Sequence, residues 1–238
     1  MQRNVISDYE REGRLVKKRT ALILLMMLLI SLLPMTAMAA TRYERGDIVT
    51  FGSYEQDKSL NNGSEDIEWL VLGTTKDGKS LLLISRYCLD CVQFNDEKVG
   101  VTWEDSYVRE WLNDTFLNEA FTRTEQKYLQ EIYSEMLCNP QYGTSGGFST
   151  RDMVTLLSIE EAEVLFASDK DRRCGATPYA KRQGTQVYDG WAWWRLRSPG
   201  QYDTSAASVY AGGQIAYAGD SMWDYGCGIR PVIMVSIS

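Results

Sequence analysis

Histidine is absent from the 238 residues. Proton transfer, nucleophilic attack or metal binding must therefore rest on carboxylates, tyrosine, lysine, the five cysteines or an oxygen-bound metal. Ser-His-Asp and Cys-His nucleophile systems are excluded, as is every His-ligated zinc or copper site. The stretch richest in chemically useful side chains runs from residue 201 to residue 226. It sets Tyr202, Asp203, Tyr210, Tyr217, Asp220, Trp223, Asp224 and Tyr225 among glycine, serine and alanine. Aromatic faces stack on sugar rings, and carboxylates bond hydroxyls or hold calcium. Two carboxylates about 5–9 Å apart across a glycosidic bond would make a hydrolase. The same residues serve recognition without chemistry. Asp220-Ser-Met-Trp-Asp224 lacks the EF-hand spacing. These eight residues are the candidate ligand-binding set, with no catalytic residue, metal ligand or cofactor assigned.

The cysteines are Cys88, Cys91, Cys138, Cys174 and Cys227. Cys88-Leu-Asp-Cys91 has C-x-x-C spacing, but it follows a meander strand and not the βαβ context of a redox motif. Zinc would need a second close pair. Outside a cell disulfides are the natural reading, with one thiol left over from an odd count; the alternative is that several are small buried hydrophobes. Arg197 and Arg230 lie beside strands, where an arginine pairs with a carboxylate or bonds loop carbonyls more often than it touches a ligand. Ser198, followed by Pro199, reads as a turn residue.

The elements that must position these groups are legible from periodicity. Residues 47–54, 67–72 and 80–87 read as strands of an antiparallel meander, with Lys76-Asp-Gly-Lys79 as a tight turn. Val108, Trp111 and Leu112 mark a helix face after the cap candidates at 102–106, and Asn113-Asp114 interrupts it. Thr122-Arg-Thr-Glu125 is a capping box for a helix carrying Tyr128, Leu129, Ile132 and Tyr133. A loop spans 139–150, a short strand 153–157, and Ser158-Ile-Glu-Glu161 caps a helix to about residue 167. Residues 168–189 read as polar and irregular. Trp193–Leu196, the hairpin of 207–217 around Gly212-Gly213, and 228–236 close the chain as strands, with Pro231 pointing to an edge or a strand start. Trp193 or Trp194, Leu196, Val209, Ile229 and Val232 are expected in the core. The fold class is α+β: an N-terminal antiparallel β-meander, central helices and a C-terminal β region.

Lys17-Lys18-Arg19, the apolar run 21–33 and Ala37-Met-Ala39 read as a secretory signal cleaved after Ala39. The alternative is an uncleaved span over about residues 20–40, which would tie the protein to a membrane through that segment alone. Either way a single domain, residues 40–238, is expected outside the cell or at its surface. The net charge is −7; without residues 1–39 the balance is 19 basic against 29 acidic side chains. Such an acidic domain repels phosphate backbones, so no nucleic-acid partner is expected.

Several stretches resemble a bacterial family, domain of unknown function (DUF) family 6273. They are 83–91 (LISRYCLDC), 102–106 (TWEDS), 108–113 (VREWLN), 156–161 (LLSIEE), 173–180 (RCGATPYA), 193–200 (WWRLRSPG) and 228–231 (GIRP). In many members the tryptophan strand reads Trp-Trp-Leu-Arg-Ser-Pro-Gly, so Arg195 stands here as an extra residue. The C-terminal pattern is similar in turn to the C-type-lectin-like fold of the formylglycine-generating group, some relatives of which display variable ligand-binding loops. The catalytic members of that group use a close C-terminal cysteine pair, whereas Cys227 stands alone there. The expectation is a noncatalytic recognition protein of the bacterial surface or exterior, binding an extracellular glycan or protein. The alternatives are a carboxylate-based enzyme acting on a cell-envelope or host polysaccharide, and a structural envelope protein.

Overall fold

The computed structural model describes residues 43–237, so the expected export segment at 1–39 lies outside the described residues. Strands β1 (Ile48–Tyr54), β2 (Glu65–Thr74) and β3 (Ser80–Ser85) pair antiparallel in sequence order. Along β2, Ile67, Trp69 and Val71 are buried while Glu68 and Leu70 are only partly so, the period-two pattern of a strand with one fully packed face. Gly78, at φ +70°, makes the β2–β3 turn, where Asp77 accepts bonds from Thr75 and Lys79.

Ser106 caps helix α1 (Tyr107–Trp111), whose Val108 and Trp111 turn inward with Leu112 as the sequence periodicity predicts. The Asn113-Asp114 interruption is a π-helical turn (Leu112–Phe116) leading into α2 (Leu117–Ala120). The Asn113 side chain donates to the Val154 carbonyl and accepts from the Met153 and Val154 N–H groups.

The next expected helix is not formed. Thr122 and Glu125 make the reciprocal capping bonds, but only a 3₁₀ turn (Glu125–Tyr128) follows. The chain then becomes β4 (Leu129–Gln130) and β5 (Ile132–Ser134). Pairing overrides the local helix signal, because Leu129 lies opposite Val235 and Ile132 opposite Asp152. Strands β6 (Thr150–Asp152) and β7 (Val154–Thr155) precede α3 (Ile159–Val164), whose Ser158–Glu161 capping box is complete on both sides.

Residues 168–189 hold more structure than their polarity suggests: α4 (Asp169–Arg172), α5 (Pro178–Gln183) and β8 (Val187–Tyr188). Thr177 caps α5, Pro178 opens it and Gly184 ends it, a start-and-stop pattern present in the sequence. Strands β9 (Trp191–Ala192), β10 (Trp194–Pro199), β11 (Ser205–Val209), β12 (Ile215–Ser221) and β13 (Val232–Ser236) complete the fold.

Strand β13 lies inside the main sheet, between β3 on one side and β4 and β7 on the other, in the order β1-β2-β3-β13-β4. Pro231 therefore marks a strand start and not an edge. This pairing brings the C-terminal strand into one curled antiparallel sheet with the N-terminal meander, while β10, β11 and β12 form a separate three-stranded sheet. The sheet is packed on both faces. Trp69, Val71, Leu83 and Ile233 meet Trp103, Val108 and Phe116 in one cluster; Leu72, Ile84 and Val232 meet Ile159, Trp194, Leu196 and Val209 in another. Of the expected core, Trp194, Leu196, Val209, Ile229 and Val232 are buried, and Trp193 is the half-exposed member of the tryptophan pair. The β10–β11 register slips between Arg195 and Pro199, in the segment that carries the extra arginine. Ser198 is not in a turn: it is a buried residue of β10 whose hydroxyl accepts the Ile159 N–H at 2.9 Å. Among the described residues no helix is long and apolar enough to cross a membrane.

Candidate functional site

The eight residues of the 201–226 stretch do not converge on one pocket. Tyr202 and Asp203 sit exposed on the turn between β10 and β11, where the Ser205 hydroxyl fastens Tyr202. Tyr217 packs against the second core cluster, and its hydroxyl donates to Glu163. Burial and that bond push the phenol up to about 12. Asp220 accepts the Ser208 hydroxyl at 2.7 Å. Trp223 packs on the first core cluster, and its carbonyl accepts the Gln93 side chain. Asp224 is exposed beside Tyr225. No calcium-type grouping forms around Asp220 and Asp224; among the described residues the acidic set whose oxygens approach one another is Glu55, Asp57 and Glu65.

Two open clefts lie among the described residues. The first, about 430 Å³, is lined by the aromatic rings of Tyr188, Trp193 and Tyr210 together with Gln186, Val187, Ala211 and Gly212. Two hairpins build it. β8 and β9 are joined by Asp189-Gly190, both in the left-handed region (φ 51° and 85°), the Asp-Gly form of the tightest hairpin turn. This turn holds Tyr188 outward, 77% exposed. The second hairpin joins β11 and β12 through Ala211-Gly212-Gly213-Gln214. Arg172 Nε donates to the Gly213 carbonyl at 2.8 Å and Arg173 Nε to that of Gly212 at 3.1 Å, so the rim of the groove is tied to α4. Gly213, at φ +90°, lies directly against the Asp169 carbonyl. Trp193 lies between the hairpins, its ring centroid 5.0 Å from that of Tyr210. Burial, then the negative charge of Asp220, raises the Tyr210 phenol above its ordinary value. The Tyr210 hydroxyl therefore acts as a neutral hydrogen-bonding group. No carboxylate lines this groove.

The second cleft, about 420 Å³, is lined by Asp90, Cys91, Val92, Gln93, Asp96, Tyr107, Tyr179, Gln183 and Tyr225. Asp90 at its base is 7% exposed; it accepts the Tyr54 hydroxyl at 2.6 Å and the Cys91 N–H at 2.7 Å. Burial raises its pKa against the pull of those two bonds. The Gln186 N–H of the first cleft donates to the Gly226 carbonyl, next in sequence to Tyr225 of the second.

The arginines of the motifs are structural. Arg197 grips Glu161 with both terminal nitrogens, one of them at 2.6 Å, and bonds the Leu156 and Glu135 carbonyls. Arg230 donates to the Ser85 carbonyl and lies over Trp194. Of the groove residues, Tyr210 alone belongs to the sequence-derived set. Tyr188 and Trp193 lie outside it, although Asp189-Gly190 between Val187-Tyr188 and Trp191-Ala192 is itself a hairpin signal.

Residues 78–237 match the model of the family described as Domain of unknown function (DUF6273), and the chain belongs to that family. No curated protein and no solved structure matches it.

Proposed function

We propose that this member of the DUF6273 family is a noncatalytic recognition protein that binds a glycan in the groove of Tyr188, Trp193 and Tyr210. The observation that carries the reading is the set of three aromatics lining one groove between two hairpins, one of them tied to α4 by Arg172 and Arg173. Exposed aromatic faces suit the apolar faces of pyranose rings. The Tyr188 and Tyr210 hydroxyls, the Gln186 amide and the Gly212 backbone offer donors and acceptors at the rim for sugar hydroxyls. The absence of carboxylates from the groove lining favours binding over hydrolysis, since glycoside cleavage needs a pair. The same reading places the domain outside the cell or on its surface, consistent with the basic-apolar-Ala-x-Ala pattern of residues 17–39, and likens its C-terminal region to the C-type-lectin-like fold.

The test is a glycan and peptidoglycan array probed with the folded protein, its Trp193→Ala variant and its Tyr188→Ala variant. A hit lost in both variants, with unfolding curves unchanged for Tyr188→Ala, supports the reading. A hit insensitive to both removes the groove from consideration, and release of cut polysaccharide in the assay would favour a hydrolase.

A further inference from the structure

Cys88 and Cys174 meet in the interior. They are 0% and 2% exposed, 86 positions apart in sequence, and their sulfurs lie 3.6 Å apart. The backbone brings them together. Cys88 forms a parallel bridge with Ala176; its N–H donates to the Gly175 carbonyl at 2.9 Å, and its carbonyl accepts the Thr177 N–H at 3.1 Å. The other buried thiols are placed differently. Cys91 Sγ accepts the Gly226 N–H and faces the Cys227 carbonyl, while Cys227 Sγ lies toward Asp220. Cys138 is exposed.

Arg230 lies beside the pair as a buried cation. Its guanidinium is 3% exposed, and no carboxylate lies within ion-pair reach of it among the described residues. One of its terminal nitrogens has no hydrogen-bond partner. Burial opposes ionisation of Cys174, but donation from Cys88 and the Arg230 charge outweigh it and bring the Cys174 thiol below its ordinary value. Burial, reinforced by the Cys174 neighbour, moves Cys88 the opposite way.

We propose that Cys88 and Cys174 are a disulfide-forming pair, joined when the chain folds in the presence of a disulfide oxidant. Bond formation closes the sulfurs from 3.6 Å to the bonded distance of about 2.05 Å. The oxidant is a disulfide R–S–S–R. In the undocked chain, where neither thiol is yet buried, the Cys88 sulfur, as thiolate, attacks it to give a mixed disulfide and R–S⁻. The Cys174 thiolate then attacks the Cys88 sulfur and expels the second R–S⁻. The two thiol protons pass to the leaving groups, the donor gains two electrons and the protein loses two. Both sulfurs are sealed in the finished fold, and Gly228 packs against Cys88. Exchange therefore takes place before the segment carrying Cys174 docks. The bond ties the end of the meander to the segment leading into α5 and shortens the unfolded chain's free loop, which raises the unfolding midpoint.

The experiment refolds the reduced, denatured full-length chain in glutathione and glutathione disulfide, alkylates remaining thiols and maps peptides without reduction. The expected result is one linked pair containing Cys88 and Cys174, alkylated Cys138, and a urea midpoint that falls when reductant is added. In Cys174→Ser, which keeps the other four cysteines, no peptide linked through Cys88 should appear. Folded protein with both Cys88 and Cys174 alkylated, or with Cys88 linked to Cys91, overturns the proposal.

Discussion

Replacing Tyr188 with alanine separates binding from folding. The side chain is 77% exposed on a two-residue hairpin whose shape is set by Asp189 and Gly190. Exposed substitutions away from caps and buried networks change stability by about 0.5 kcal/mol or less. The ligand term is larger. Covering about 50 Å² of a ring face with a sugar is worth about 1.2 kcal/mol at about 25 cal/mol per Å². With the geometric preference of aromatic contacts spanning gains and imperfect fit, the loss is about 1–2 kcal/mol, a rise in Kd of about five- to thirtyfold. Tyr188→Phe keeps the face and should stay within about threefold of the parent. The assay is a calorimetric titration with the best array ligand, paired with urea unfolding of each variant. An unchanged Kd for Tyr188→Ala, with the fold intact, refutes the argument that this ring stacks on the ligand.

Gly213→Ala places a methyl group against the Asp169 carbonyl in a left-handed backbone and must open the β11–β12 turn. A loss of about 3 kcal/mol or more by urea unfolding is expected, since strain and the Arg172 bond to the Gly213 carbonyl go together. Glu161→Ala removes both the capping box of α3 and the carboxylate partner of the 1% exposed Arg197; it should destabilise by about 3–5 kcal/mol. Glu161→Gln, which can still cap, should lose less. Asp90 has a folded pKa raised by burial, so its stability contribution is fully present below the unfolded carboxyl value of about 3.9 and is lost as pH rises through the folded value. Asp90→Asn should remove that downward slope from the stability-against-pH curve measured by denaturant unfolding.

The meander, the α1 face and the Ser158 box were readable because each is a local pattern that tertiary packing reinforces: Trp69, Val108 and Ile159 all point where their periodicity sends them. The segment after Thr122 was misleading for the opposite reason. Its capping bonds form, yet Leu129 and Ile132 are claimed by strand partners 106 and 20 residues away in sequence, which no local window contains. The position of β13 inside the sheet is likewise set by its distant partner β3. For the site, composition drew attention to residues 201–226, but density of aromatics did not distinguish Tyr217 and Trp223, which pack on the core clusters, from Tyr210, which faces a groove. The groove's other walls come from a hairpin upstream, brought alongside by the fold.

Ligand-induced shifts in ring-labelled protein test the recognition groove most directly. The folded chain, labelled at tyrosine and tryptophan rings, is titrated with the glycan that gives the strongest array signal, and the resonances are assigned by single substitution. Saturable shifts are expected at Tyr188, Trp193 and Tyr210, with the glycan recovered uncut. Shifts confined to Tyr107, Tyr179 and Tyr225 in the neighbouring cleft, or cleavage of the glycan during the titration, would contradict that expectation.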